Sequence, residues 1–160
     1  MAVVGTLLRV LLGYLVAALS AGLVLVGFVV TPLDLVGLAG EALRERLGMA
    51  GLLALAAATH AAIFASPFAL LAVLVGEWQR FREAGYYGVV GIAIGLAGFF
   101  AQHASEPEGS PTIVNSYAFA AYVTAGLVGG LVYWRISGRY GRRAGVRTIA
   151  AGGLAPTLGA

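Results

Sequence analysis

Four long apolar runs dominate this chain: Leu7 to Val30, Leu52 to Val75, Tyr86 to Gln102 and Ile113 to Trp134. A helix rises about 1.5 Å per residue, so crossing a hydrocarbon layer about 30 Å thick takes about 20 mostly apolar residues. Each run meets or approaches that length. In water the same runs would expose apolar patches far beyond the few hundred Å² that a soluble monomer carries. The rest of the chain cannot offset them: 60% of the 160 residues are apolar, 11% are charged, and the mean hydropathy is +0.92. A soluble globular enzyme is excluded on that ground. There is no cysteine, so disulfide frameworks, thiol nucleophiles and thiolate zinc sites are excluded as well. The pattern predicts an all-α integral membrane protein, an antiparallel four-helix transmembrane bundle.

The ends of the runs carry stop signals. The first meets Thr31-Pro32, where proline disfavours helix in the residue before it; the second meets Gly76-Glu77, and the fourth runs into Arg135. Residues 1–135 read as the membrane domain and 136–160 as a basic, disordered tail. Met1 to Gly22, with Ala18-Leu19-Ser20, loosely resembles a secretion signal. The apolar run continues unbroken to Val30, which favours an uncleaved first span.

All ten basic residues are arginine. Arg9, Arg80, Arg82, Arg135, Arg139, Arg142, Arg143 and Arg147 fall on one side of the predicted layout, and only Arg44 and Arg46 fall on the other. Short cytoplasmic loops hold the positive excess, so both termini are expected in the cytoplasm, and the pattern fits a bacterial inner membrane. Single cysteines at Ser110 and Ser137 would then label from opposite sides. Arg135, Arg139, Arg142 and Arg143 are placed to meet anionic lipid headgroups of the bilayer, each worth on the order of 1 kcal/mol. Topology accounts for these arginines, so nucleic-acid binding is not expected.

Between the first two runs, Asp34 to Met49 is too polar to cross. Its Leu35, Leu38, Leu43 and Leu47 recur at helical spacing opposite the charges, which predicts a short amphipathic helix on the outer membrane face. Trp78, Tyr86, Tyr87, Tyr133 and Trp134 sit where aromatic rings anchor at headgroup level.

In lipid, helices associate by close approach through small residues. Gly88, Gly91, Gly95 and Gly98 make a stripe on the third run. It needs a reason, since each glycine disfavours helix by about 1 kcal/mol relative to alanine. A second helix backbone pressed into the groove supplies one. The other runs offer Gly13, Ala17 and Ala21; Ala54, Ala58, Ala62 and Ala65; and Ala118, Ala121, Ala125 and Gly129. Such faces could be consumed in one bundle, or could serve a homo-oligomer or a larger membrane complex. The two halves show no repeat that would support an inverted-repeat transporter.

Ionisable groups inside spans are the default functional candidates. His60 is the one clear case, with Tyr122 as a hydrogen-bond partner at matching depth and Ser20 or Thr124 as alternatives. Proline at Ser66-Pro67 frees a backbone carbonyl and can kink the second run. Gln102, His103 and Asn115, with Ser116, Glu106 and Glu108, form the most polar neighbourhood, at the outer ends of the third and fourth runs. His103 lies on the order of 10 Å from the depth of His60, which argues against a haem held between them. No glycine loop is followed by the lysine of a nucleotide site, and no Ser/His/carboxylate set shares one depth. Catalysis and a bound cofactor are not expected. The reading favoured by this layout is a structural or interaction subunit, or an assembly factor, that docks through small-residue faces. A second is an oligomeric small-solute transporter or channel using His60 and the outer polar cluster, and a third is haem or quinone binding.

Overall fold

The computed structural model describes residues 2–30, 36–79, 83–108 and 112–140. Four long helices account for most of them: α1 (Ala2–Val29), α2 (Gly40–Gln79), α3 (Ala84–Ala104) and α4 (Ser116–Ile136), followed by a 3₁₀ turn at Gly138–Tyr140. No strand occurs among the described residues. All four helices are long and apolar enough to cross a membrane.

The largest departure from the sequence reading is α2. The amphipathic segment and the second span are not separate elements but one helix of 40 residues, about 60 Å long at 1.5 Å per residue. The reason is local. Glu41-Ala42-Leu43-Arg44-Glu45-Arg46-Leu47 is built from strong helix formers, and no proline intervenes before Pro67. Gly48 and Gly51 each cost about 1 kcal/mol, too little to break a helix so well supported on both sides. Gly37 (φ 85°) and Gly40 (φ 60°) adopt the left-handed backbone that turns the chain into α2. No residue of α2 before Ala54 is buried, so its first turns project past the other helices. Asp34 and Leu35 lie outside the described residues.

Smaller shifts occur at other ends. Ile113 and Val114 precede α4 rather than opening it. Asn115 has an extended backbone (φ −144°, ψ 159°), and its side chain accepts a hydrogen bond from the Ala118 amide at 2.7 Å, which sets the helix start. Ile136 ends α4, and the 3₁₀ turn follows with Ser137 and Gly138 buried, so the first residues assigned to the tail are folded. Residues 141–160, with Arg142, Arg143 and Arg147, lie outside the described residues, as do Arg80, Arg82 and Ser110.

α4 packs against both α1 and α3, and α2 packs mainly against α1. Facing residues run in opposite sequence directions at each interface. Gly13 meets Ser137 and Phe28 meets Tyr117; Gly22 meets Ala58 and Tyr14 meets Ala62; Gly91 meets Gly126 and Gly98 meets Tyr122. Adjacent helices are therefore antiparallel. α2 approaches α3 at few points. The buried residues are small or aromatic, namely Ala17, Ala54, Ala58, Ala121, Ala125, Tyr87 and Phe99. Large aliphatics point outward instead, with Leu7 at 64%, Leu52 at 65%, Leu70 at 65% and Val89 at 67% exposure.

Pro67 sits inside α2, where its ring removes the amide that would bond the Ile63 carbonyl. The Ser66 hydroxyl donates to that same carbonyl at 2.9 Å, so the group stays paired and the helix continues.

Candidate functional site

The four helices turn their small residues toward a common centre without filling it. A cavity of about 990 Å³ lies there, half-open to the outside. Its floor is formed by α1 and α4 at Ala17, Ala21, Ala125 and Gly129, and its walls by α2 and α3. Along α2 the lining runs from Leu53 to Val73, twenty positions or roughly 30 Å. Alanines Ala57, Ala61, Ala65, Ala69 and Ala72 face it, and α3 answers with Gly91, Ile94, Gly95 and Gly98.

The cavity persists because α2 is held away from α3 by two bulky contacts. Near one end, the Tyr86 hydroxyl donates to the Ala72 carbonyl at 2.8 Å, and its ring lies against Gly76. Further along, the Phe64 ring reaches Gly98. At the arginine-bearing end, Tyr87 is buried beneath Tyr86 (ring centroids 5.1 Å), Tyr133 (5.6 Å) and Gly138. Tyr87 is therefore a packing residue and not a headgroup anchor. Trp78 is 85% exposed.

The candidates from sequence separate into distinct environments. His60 lies on the exposed side of α2 and lines the cavity together with Tyr122 and Gln102. No hydrogen bond joins His60 to Tyr122. The Tyr122 ring packs edge-on against Phe99 at 5.7 Å and over Gly98. The Ser20 hydroxyl is occupied by the Val16 carbonyl at 2.8 Å. His103 turns away from the cavity, and its Nδ1 lies 3.0 Å from a Glu106 carboxylate oxygen. Glu106 also accepts from the Ile113 amide at 2.5 Å. That amide bond, with the His103 and Thr112 contacts, holds the Glu106 carboxyl below its ordinary range against a smaller opposing effect of burial. Asn115 caps α4. The polar neighbourhood at the α3–α4 connection is thus a loop clasp plus a helix cap, and only Gln102 of that group reaches the cavity. His60 lines the cavity and His103 does not, and no cluster of three metal-capable side chains forms among the described residues.

The α3 stripe is also resolved residue by residue. A Cβ on Gly91 would fall on the Gly126 carbonyl oxygen, and one on Gly95 would fall on the Tyr122 carbonyl oxygen. Gly88 meets the Leu127 and Leu131 side chains, and Gly98 meets the Tyr122 ring. The matching residues on α4 are Gly126 and Gly130, which sequence reasoning passed over in favour of Ala118, Ala121, Ala125 and Gly129. The Gly126-x-x-x-Gly130 spacing was the available signal. Gly129 instead faces Ala17 and Ala21 of α1. Arg135 and Arg139 are exposed beside the Tyr87 cluster. Comparison with protein-family models, curated proteins and solved structures finds no match to this chain.

Proposed function

We propose that this chain is a non-catalytic, multi-pass membrane subunit whose hollow interior receives an apolar guest. The observation that carries the reading is the inverted packing: leucines and valines outside, alanines and glycines inside, around a cavity of about 990 Å³. Outward aliphatics are stable only against hydrocarbon, and a small-residue interior is how helices pack in lipid. Because the cavity is half-open, hydrocarbon reaches it in a bilayer and the space does not stand empty. Something apolar fills that space in a membrane.

This reading shifts the docking role from the outer faces to the interior. Gly91 and Gly95 of the α3 stripe are pressed against the α4 backbone, and the stripe's remaining surface faces the cavity, so it offers little to a second copy or a larger complex. Orientation follows the arginines. Arg9, Arg135 and Arg139 share one end of the helix set, and Arg44 and Arg46 lie in the projecting turns of α2 at the other. Both termini are cytoplasmic, in a bacterial inner membrane, with anionic lipid against the arginine end. Ser137 is buried, so cysteines at Glu108 and Arg139, both exposed, are the better reporters. They should label from opposite sides, and labelling from one side sinks the orientation.

A second reading, a carrier for small solutes, draws on His60 and Gln102 lining the same cavity. Cavity filling separates the two. Under the guest reading, Ala65→Leu with Ala69→Leu yields a protein that melts higher in delipidated detergent and no longer retains lipid through purification. Retention of the same lipid load by the filled variant would overturn the guest reading. Proteoliposome uptake of a small polar solute, abolished by His60→Ala, would favour the carrier.

A further inference from the structure

We infer that the guest is a single long-chain amphiphile with an uncharged, hydrogen-bonding head, seated at the His60–Gln102 end of the cavity. This assignment rests on the guest reading above and adds the chemistry of the ligand. Shape narrows the occupant first. The cavity is about as long as a hydrocarbon layer is thick, since its α2 wall runs from Leu53 to Val73. Its side opening is interrupted, however, by Phe64 over Gly98 and by the Tyr86 hydroxyl on Ala72. Only eight α2 positions, roughly 12 Å, separate those two bars. A straight transmembrane helix from another chain needs an unbroken groove and would collide with both. A flexible alkyl or prenyl chain passes beneath them.

Polarity then sets the direction. The middle of the cavity is mostly alanine, glycine and isoleucine, which offer a chain dispersion contacts, with the Phe64 and Tyr122 rings beside Gly98. The Tyr14 hydroxyl is committed to the Ala62 carbonyl, two positions along α2 from His60, and at the arginine-bearing end the Tyr86 hydroxyl is committed to the Ala72 carbonyl. At the other end, the His60 ring and the Gln102 amide line the cavity with no hydrogen-bond partner among the described residues. Together they offer both donor and acceptor atoms. Among the described residues the lining contains no arginine, aspartate or glutamate, so neither a phosphate nor a quaternary ammonium head meets an opposite full charge from them. A hydroxyl or carbonyl head, as in a fatty alcohol or a quinone, matches the groups present.

The test uses the full chain in nanodiscs with three photoreactive probes of equal chain length: a long-chain alcohol, the matching carboxylate and the matching quaternary ammonium. Adducts are mapped by peptide mass spectrometry. The alcohol should label the cavity segments around Ala61 and Ala101 in preference to the other two probes. Gln102→Leu should reduce that labelling roughly three- to tenfold, the worth of one hydrogen bond. Gln102→Glu, which keeps the side-chain size, should shift preference toward the ammonium probe. Equal labelling by all three probes, or indifference to both substitutions, overturns the head assignment while leaving the guest reading intact. Adducts confined to outward residues such as Leu52 and Leu70, unaffected by Ala65→Leu, overturn both.

Discussion

α3 meets its two neighbours on opposite terms. Against α4 it brings Gly91 and Gly95 into backbone contact with Gly126, Gly130 and Tyr122, leaving no room for a single methyl group. Against α2 it presents Gly91, Ile94 and Gly98 across open space, although α2 answers with small residues of its own. A small residue therefore does not by itself specify close packing. It permits close packing where the facing helix is free to approach, and it leaves a hollow where a bulky neighbour props the helices apart. Here the props are Phe64 and Tyr86.

The contrast is broken most severely at the closed interface. Gly91→Ala or Gly126→Ala places a methyl group on a backbone carbonyl that cannot move without separating the helices. Overpacking of this kind typically costs about 1–3 kcal/mol and occasionally more, and here the displacement is shared along the whole α3–α4 contact. Thermal unfolding in detergent should show a drop in melting temperature of many degrees, or loss of folded protein. Gly98→Ala is the control, because its Cβ would sit 3.6 Å from the Tyr122 ring, at ordinary contact distance. It should be neutral or mildly stabilising, since alanine also favours helix. Equal damage from Gly91→Ala and Gly98→Ala would remove the distinction between the two faces.

At the open interface the sign reverses. Ala65→Leu adds carbons to unfilled space, a gain of about 1–2 kcal/mol if the leucine packs without strain. The melting temperature in delipidated detergent should rise. A fall comparable to that of Gly91→Ala would mean that the hollow is closed when the protein is in solution.

How far these contrasts can be read from sequence depends on which physical signal each feature leaves. The four helices are legible because burial in hydrocarbon demands long apolar runs, and hydropathy reports that demand directly. The continuity of α2 is not legible in the same way. Hydropathy marks where a chain leaves the hydrocarbon, whereas helix propensity decides where a helix stops, and Glu41 to Leu47 scores low on the first and high on the second. The glycine stripe of α3 identifies a groove, yet its partners on α4, Gly126 and Gly130, do not stand out, because alanine and glycine stripes overlap on one helix. The cavity leaves no signature at all. Ala61, Ala65 and Ala69 read the same whether they touch a neighbour or face a void, and the outcome is decided by two aromatic side chains several turns apart. Similarly, His103, Glu106 and Asn115 look like a polar site in sequence. Their hydrogen bonds are spent on a clasp and a cap.

That spent polarity gives two smaller tests. Asn115→Ala removes the acceptor for the Ala118 amide at the start of α4. Loss of an N-cap typically costs about 1 kcal/mol, so the melting temperature should fall by a few degrees while the Gly91 contact is untouched. A drop as large as that of Gly91→Ala would mean that the loop, and not the glycine seam, positions α4 against α3.

The smallest expected effect is the pH dependence of the Glu106 clasp. The Ile113 amide, His103 and Thr112 favour the ionised carboxylate, so its folded-state pKa lies below the ordinary value of 4.5. A depressed carboxylate pKa means that the unfolded chain binds the proton more readily. The stabilisation is therefore fully present above about pH 4.5 and drains away as the pH falls through the lower folded-state value. Melting curves of wild type and Glu106→Gln, taken from neutral pH downward, should differ by a roughly constant amount until that window and then converge. Because the clasp is solvent-accessible, the convergence should be modest and should leave the α3–α4 seam intact. Parallel curves through the acid range would show that the loop contributes nothing through Glu106 ionisation.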